Sequence, residues 1–275
     1  MIIAELSHNH GGSITSLNEM VQAAAIAGAW GVKVQAHFAT DLTAEFSHQY
    51  DRVKAAELSW DDHHYFVKMC SDLGIVPICS VYDEKYLPEL HKAGYHWLKI
   101  GSAESHNGRL QTAIKARGFK VLLSTGGRDI EEIPRTSTVD GIFYCVSRYP
   151  HPPREVNFTT AFRMQHLWPG SPWGFSSHSD PEDSECLLPA KAALALGALY
   201  VEAHFTTRPR WATKDGKVSL SVKQLEALCR FDRMGDKDIL IPSEMFHGAM
   251  TDDETNLIRE AQFRWRVAND GTDND

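Results

Sequence analysis

The chain reads as an α/β protein, a single-domain (β/α)8 barrel of the TIM type. Three observations lead there. Strand-like apolar segments alternate with helix-like amphipathic ones for most of the 275 residues. No two strands are joined by a short hairpin signal, so the sheet is expected to be parallel. Nearly every strand also turns polar toward its C-terminal end. That gathers polar groups on one face of a closed barrel, the face where such barrels do their chemistry.

The elements follow in order. Residues 2–6 form a short buried strand. Helical spacing of Leu17, Met20, Val21 and Ala24 marks a helix over 15–27, and 32–35 is the next strand. A long loop covers 38–59. The helix over 60–73 has Ser59 as N-cap, Asp61 and Asp62 in its first turn and Gly74 at its C-cap. Further strands are expected at 75–81, 97–101, 120–124, 141–145, 173–176 and 198–204. Further helices are expected at 84–93, 110–116, 130–133, 158–166, 183–195 and 222–232. These make eight strand-then-helix units. The barrel is assigned to 1–235. A C-terminal extension with one helix, at 254–267, occupies 236–268, and a polar, disordered tail occupies 269–275.

Composition narrows the function. The chain is 43% hydrophobic and 23% charged, enough apolar residues for a large core. A net charge of −8 argues against nucleic acid or an anionic membrane as partner. The five cysteines (Cys70, Cys79, Cys145, Cys186 and Cys229) lie without a C-x-x-C and read as reduced core thiols. The first residues enter a strand directly and no long apolar run occurs, so the expected compartment is the cytoplasm.

The strand ends carry the chemistry. Strand one holds Glu5 and leads into Asn9-His10-Gly11-Gly12. Strand two holds Lys33 and Gln35. Strand four holds Lys99 and leads into Ser102 and Glu104. Strands five and six lead into Ser124-Thr125-Gly126-Gly127 and Ser147-Arg148-Tyr149-Pro150. Strands seven and eight end in Ser176-Ser177-His178 and Glu202-Ala203-His204. A lysine inside an apolar strand calls for an anion beside it. Either a structural glutamate or a phosphate or carboxylate substrate would answer that need. Ser102, Ser124 and Ser176 offer hydroxyls for the same anion. Two histidines at neighbouring strand tips suit a divalent cation, with Glu5 or Glu202 nearby. Other histidines read as structural: His96 and His166 as surface or core residues, His63 and His64 as an exposed helix face.

Taken together, the segments Ile3-Ala4-Glu5 through Gly12, Val32-Lys33-Val34-Gln35, Leu98 through Glu104, Leu123-Ser124-Thr125-Gly126, Tyr149-Pro150, Phe175-Ser176-Ser177-His178 and Glu202 through Thr206 resemble the sialic acid synthase family (N-acetylneuraminate synthases and their pseudaminic and legionaminic acid relatives). The resemblance covers about residues 2–220. It implies a metal-dependent condensation of phosphoenolpyruvate with a sugar aldehyde like N-acetylmannosamine, giving a 2-keto-3-deoxy sugar acid and phosphate. By position, Lys33, Lys99, Ser102, Ser124, Ser147, Tyr149 and Ser176 would hold phosphoenolpyruvate. His178 and His204 would bind Mn2+ or Mg2+. Glu5, Glu104 and Asp215 would face the sugar and a water. The resemblance also implies small-molecule partners and allows a homodimer.

The chain departs from the family in places. Ser177 stands where the family has Asp, and Ala203 where it has Lys. Thr213-Lys214-Asp215 replaces Gly-Pro-Asp. The C-terminal antifreeze-like domain of the family is expected to be lacking. A metal aldolase or lyase on the same barrel, and a catalytically silent ligand-binding barrel, remain as alternatives.

Overall fold

In the computed structural model, residues 1–41, 50–127, 129–135, 139–234, 237, 239–247 and the backbone of 267–268 are described. Eight strands, β1 (Ile2–Glu5), β2 (Gly31–Ala36), β3 (Val76–Val81), β4 (Trp97–Ile100), β5 (Lys120–Ser124), β6 (Gly141–Cys145), β7 (Trp173–Ser177) and β8 (Tyr200–His204), close in sequence order into one barrel. Every neighbouring pair is parallel, and β8 returns to β1 with Glu5 opposite His204. The helices are α1 (Ile14–Ala27), α2 (Tyr50–Lys54), α3 (Trp60–Leu73), α4 (Leu87–Ala93), α5 (Gly108–Ala116), α6 (Phe158–Leu167), α7 (Leu188–Ala195) and α8 (Val222–Arg233). The fold class is the one expected, a (β/α)8 barrel.

Local chemistry sets the element ends. Ser59 and Asp62 form a reciprocal capping box at the start of α3, as Ser221 and Gln224 do at α8. Gly74 closes α3 in the left-handed conformation, at φ 68°. Two expected helices differ. Residues 130–133 form only a turn. The helix expected from 183 begins at Leu188, because the Asp183 side chain accepts from the Glu185 N–H and holds a turn there, while Pro189 fits only a first helical turn. The long loop contains a 3-10 turn (Ala39–Asp41) and α2, and its segment 42–49 lies outside the described residues. Residues 241–242 form a short strand, β9 (Ile241–Pro242), paired with β10 (Val267–Ala268). The helix expected at 254–267 and the tail otherwise lie outside the described residues.

Alternation along the strands sorts the side chains into two populations. Outward residues such as Val32, Val34, Leu98, Val121 and Phe175 pack against the helices in the main core. Inward residues fill the barrel in layers. The lower layer is apolar: Ile3, Ile78, Leu122, Phe143 and Tyr200, closed from below by Trp30 and Trp97. The layer above it belongs to the same strands, two residues further along. There the residues are Glu5, Ser80, Ser124, Cys145 and Glu202, with Lys33 and Lys99 beside them, all buried. The apolar layer is thus the floor of a polar cleft.

Candidate active site

The cleft opens at the C-terminal face and encloses about 320 Å3. That lies within the size range of small-molecule sites. Its wall includes Glu5, Lys33, Lys99, Ser102, Ser124, Ser147, Tyr149, Ser176, His178, His204 and Asp215. Of the residues singled out from the sequence, Glu104 is not on this wall. It sits in a 3-10 turn (Ser102–Glu104), where its carboxylate accepts from Asn107 Nδ2 at 3.1 Å.

At the bottom is a buried charge cluster. Lys33 Nζ pairs with Glu5 Oε2, donates to Ser80 Oγ at 2.8 Å and lies 3.6 Å from Glu202 Oε1. Lys99 Nζ donates to Glu202 Oε1 at 2.8 Å and lies over the Phe143 ring, 4.4 Å from its centroid. Ser176 Oγ donates to the same Glu202 oxygen at 3.1 Å. Both ammoniums therefore already face carboxylates of the chain. The charges then act on one another. Burial opposes the charged form of Lys33, but Glu202 and Glu5 together outweigh it and raise its pKa. Burial also opposes the Lys99 ammonium; there Glu202 does not compensate fully, Lys33 adds repulsion, and the pKa falls. Burial works against the Glu202 anion, yet Lys33 and Lys99 hold its pKa down at about 2.

One side of the cleft is a wall of small hydroxyls. The Gly126 N–H donates to Ser102 Oγ at 2.9 Å, and Cys145 Sγ lies 3.5 Å from both Ser102 Oγ and Ser124 Oγ. A Cβ on Gly126 would collide with Ser147 Oγ and Cys145 Sγ, so glycine lets the backbone approach this cradle without displacing them.

The two histidines stand together, ring centroids 5.5 Å apart, with Tyr149 stacked on His178 at 4.0 Å. His178 Nδ1 meets the Val146 carbonyl at 2.9 Å. A carbonyl only accepts, so Nδ1 carries the proton and Nε2 keeps its lone pair. Burial, then His204, pulls the His178 pKa down to about 3, so the ring is neutral. Among the described residues the buried His204 Nδ1 has no hydrogen-bond partner. Both features fit a divalent cation. Among the described residues no group of three or more His, Cys, Asp and Glu side chains is arranged to hold a metal, so the pair would supply two ligands only.

The opposite side is a bridge of loops. Arg52 Nη2, on α2, lies 3.2 Å from Asp215 Oδ1, in the loop after β8. The His8 N–H, beyond β1, approaches Asp215 Oδ2 at 3.5 Å. Asn9 Oδ1 accepts from the Asp215 N–H at 3.0 Å, and Ser219 Oγ donates to the Asp215 carbonyl at 2.7 Å. Burial disfavours the Asp215 anion, but His204, a Ser7 hydrogen bond, His8 and Arg52 lower its pKa on balance. Burial holds His8 neutral, with a pKa of about 4. Gln35 joins this side to Glu5, its Nε2 donating to Ser7 Oγ at 3.2 Å and its Oε1 accepting from Tyr82 OH at 3.3 Å.

Sequence reasoning missed Ser80, Tyr82, His8, His37 and Arg52, all on the wall. Ser80 carried the signal that exposed Lys33, a polar residue at an inward position of an apolar strand. Arg52 and His37 come from an irregular loop and carried none. His63 was misplaced: it is fully buried, with Nδ1 2.8 Å from Tyr95 OH. Ala203 packs into the outer core, and Ser177 lies beside Ser179 at an outward position of β7. All five cysteines are buried free thiols, and no described helix is long and apolar enough to cross a membrane.

Comparison with known proteins agrees with this geometry. The model of the NeuB family matches residues 20–237. The human N-acetylneuraminate-9-phosphate synthase is 25% identical over 273 residues, covering 89% of this chain and 74% of that protein. The N,N'-diacetyllegionaminic acid synthase of Legionella pneumophila is 28% identical over 253 residues, covering 82% and 69%. The crystal structure of N-acetylneuraminic acid synthetase from Leptospira borgpetersenii, in complex with citrate, superposes with a TM-score of 0.76 at 25% identity, covering 94% of this chain and 90% of that one.

Proposed function

The chain belongs to the NeuB family, and from that premise we propose that it is a transferase-type synthase that condenses phosphoenolpyruvate with the aldehyde of a sugar, with the help of a divalent cation. The observation that carries this reading is the buried layer of Lys33, Lys99, Glu5 and Glu202 beneath a hydroxyl wall and a histidine pair. Phosphoenolpyruvate is a multiply charged anion and a weak carbon nucleophile. It needs neutralising and fixing against its acceptor.

In this reading the donor lies along the hydroxyl wall, its phosphate among Ser102, Ser124 and Ser147 and its carboxylate toward Lys33 or Lys99. Because both ammoniums already share Glu202 and Glu5, donor binding redistributes existing contacts and leaves no lysine bare. The acceptor lies toward His8, Gln35 and Asp215. The donor's methylene carbon bonds to the aldehyde carbon, and the aldehyde oxygen takes up a proton. Water adds to the former enol carbon, and phosphate leaves with cleavage of its bond from that carbon. In the proposed mechanism Glu5 is the carboxylate that accepts the water's proton. Its Oε1 is held by the Ser7 N–H at 2.7 Å. Glu104, off the wall, is not. His178 and His204 would hold Mn2+ or Mg2+, which when bound polarises the aldehyde carbonyl as a Lewis acid.

The test is phosphate release from phosphoenolpyruvate with Mn2+ and a panel of aldoses. Release that needs an aldose, stops on chelation and returns with added Mn2+ supports the proposal. An aldolase or a silent barrel would release none. Titration of Mn2+ by electron paramagnetic resonance should show one site in the wild type and its loss in His204→Ala.

A further inference from the structure

We propose that Arg52 is a specificity-determining residue of the cleft, recognising with Asp215 an uncharged acceptor rich in hydroxyl and carbonyl oxygens. The inference rests on the synthase reading and names the substrate class for the acceptor side.

The topology makes the pair unusual. Arg52 follows β2 and Asp215 follows β8, and β1 stands between those strands in the barrel. Their contact therefore arches over the tip of β1, where the His8 N–H approaches the same carboxylate. Both side chains line the cavity that holds the lysines and the histidine pair. Asp215 is fixed from behind by Asn9 and Ser219. Arg52, by contrast, has a side chain 47% exposed.

A guanidinium carries five N–H donors. Among the described residues the contact with Asp215 engages one nitrogen of Arg52, and the others remain for a ligand. With the Arg52 end of the pair half exposed to water and screened there, the contact stabilises the fold by only about 0–1 kcal/mol, so the barrel has little need of Arg52 at the mouth. Lys33 and Lys99 differ: they are buried and committed to the floor.

The charge balance points to the class of acceptor. Arg52 and Asp215 cancel one another, so this side offers donors and acceptors side by side with no net charge. Hydroxyl groups donate to Asp215, and an amide or similar carbonyl accepts from Arg52. A phosphoryl group on the acceptor would face the Asp215 carboxylate and compete with it for the single guanidinium. It would also bring a second multiply charged anion into a cleft whose buried cations already have partners.

Steady-state phosphate release decides the matter, with phosphoenolpyruvate, Mn2+ and either N-acetylmannosamine, or whichever neutral aldose the wild type uses fastest, or its 6-phosphate. The wild type is expected to favour the neutral sugar at least tenfold in kcat/KM. Arg52→Ala is expected to raise the aldose KM at least tenfold while kcat and the phosphoenolpyruvate KM stay within threefold. Arg52→Lys is expected to recover part of that loss, and it serves in place of Arg52→Ala if the latter does not fold. An unchanged aldose KM, an equal rise in both KM values, or a wild-type preference for the phosphorylated sugar overturns the inference and leaves the synthase reading standing. A wild type that releases phosphate with no aldose overturns both.

Discussion

The two sides of the cleft are built by opposite means. The hydroxyl wall comes from β5, β6 and the residues one or two positions past β4 to β6. Its groups are short, and it is tight enough that Gly126 has no room for a Cβ. The bridge wall comes from loops after β1, β2 and β8, and long side chains close it across gaps. The difference teaches how one barrel can keep a constant half and a variable half. Strand-borne groups are fixed by ladder register and by the core behind them. Loop-borne groups can be exchanged without disturbing the sheet. The wall assigned to the common donor is the rigid one, and the wall assigned to the acceptor is the adaptable one.

The comparison breaks first at the floor the two walls share. Lys99→Met should abolish phosphate release and, by leaving Glu202 short of a partner, destabilise the fold by about 3–5 kcal/mol. Adding Glu202→Gln should return most of that stability, since replacing a whole buried pair is often close to neutral, while activity stays absent. Chemical denaturation of the three proteins beside a release assay separates the two effects. If Lys99→Met turns over normally, the floor has no part in catalysis.

Gly126→Ala tests the rigid wall alone. The new methyl must displace Ser147 Oγ and Cys145 Sγ, and overpacking of this kind costs about 1–3 kcal/mol. Taken from donor binding, that is about a ten- to hundredfold rise in the phosphoenolpyruvate KM, with the aldose KM unchanged. A rise confined to the aldose KM would mean that the two walls have been assigned the wrong way round.

The same division decided what was legible in the sequence. All eight strands could be found because each is buried on both faces and reads as a short, largely apolar run between helical segments. Lys33, Lys99, His178 and His204 could be found because a polar side chain at an inward strand position must meet a polar partner or a ligand there. The turn at 130–133 was overread, since a few apolar residues at helical spacing do not bring enough backbone hydrogen bonds to sustain a helix. Arg52 and His37 were invisible for a different reason. They sit in a loop without periodicity, and only the closure of β8 onto β1 brings Arg52 to Asp215, a residue 163 positions away. Glu104 lies off the wall with Asn107 as its local partner, and sequence distance from a strand end reveals neither the direction of a side chain nor such a partner.

The smallest effect is expected from Gly12→Ala, which probes how firmly the bridge wall is held. Gly12 has a φ of 74°, and a Cβ there would fall 2.8 Å from the Ala55 carbonyl oxygen, just past the end of α2. An alanine in this conformation costs about 1–2 kcal/mol. The clash is with backbone and cannot be relieved by turning a side chain, so α2 must shift, and Arg52 shifts with it. Val53 and Leu58, both buried, limit that movement by anchoring the segment to the core. The expected result is a rise of a few-fold in the aldose KM, an unchanged phosphoenolpyruvate KM and a melting temperature lower by a few degrees. A lower melting temperature with both KM values intact would mean that α2 can move without carrying Arg52 away from Asp215. The acceptor wall would then owe its geometry to Asp215 and its Asn9 and Ser219 supports rather than to the position of the helix.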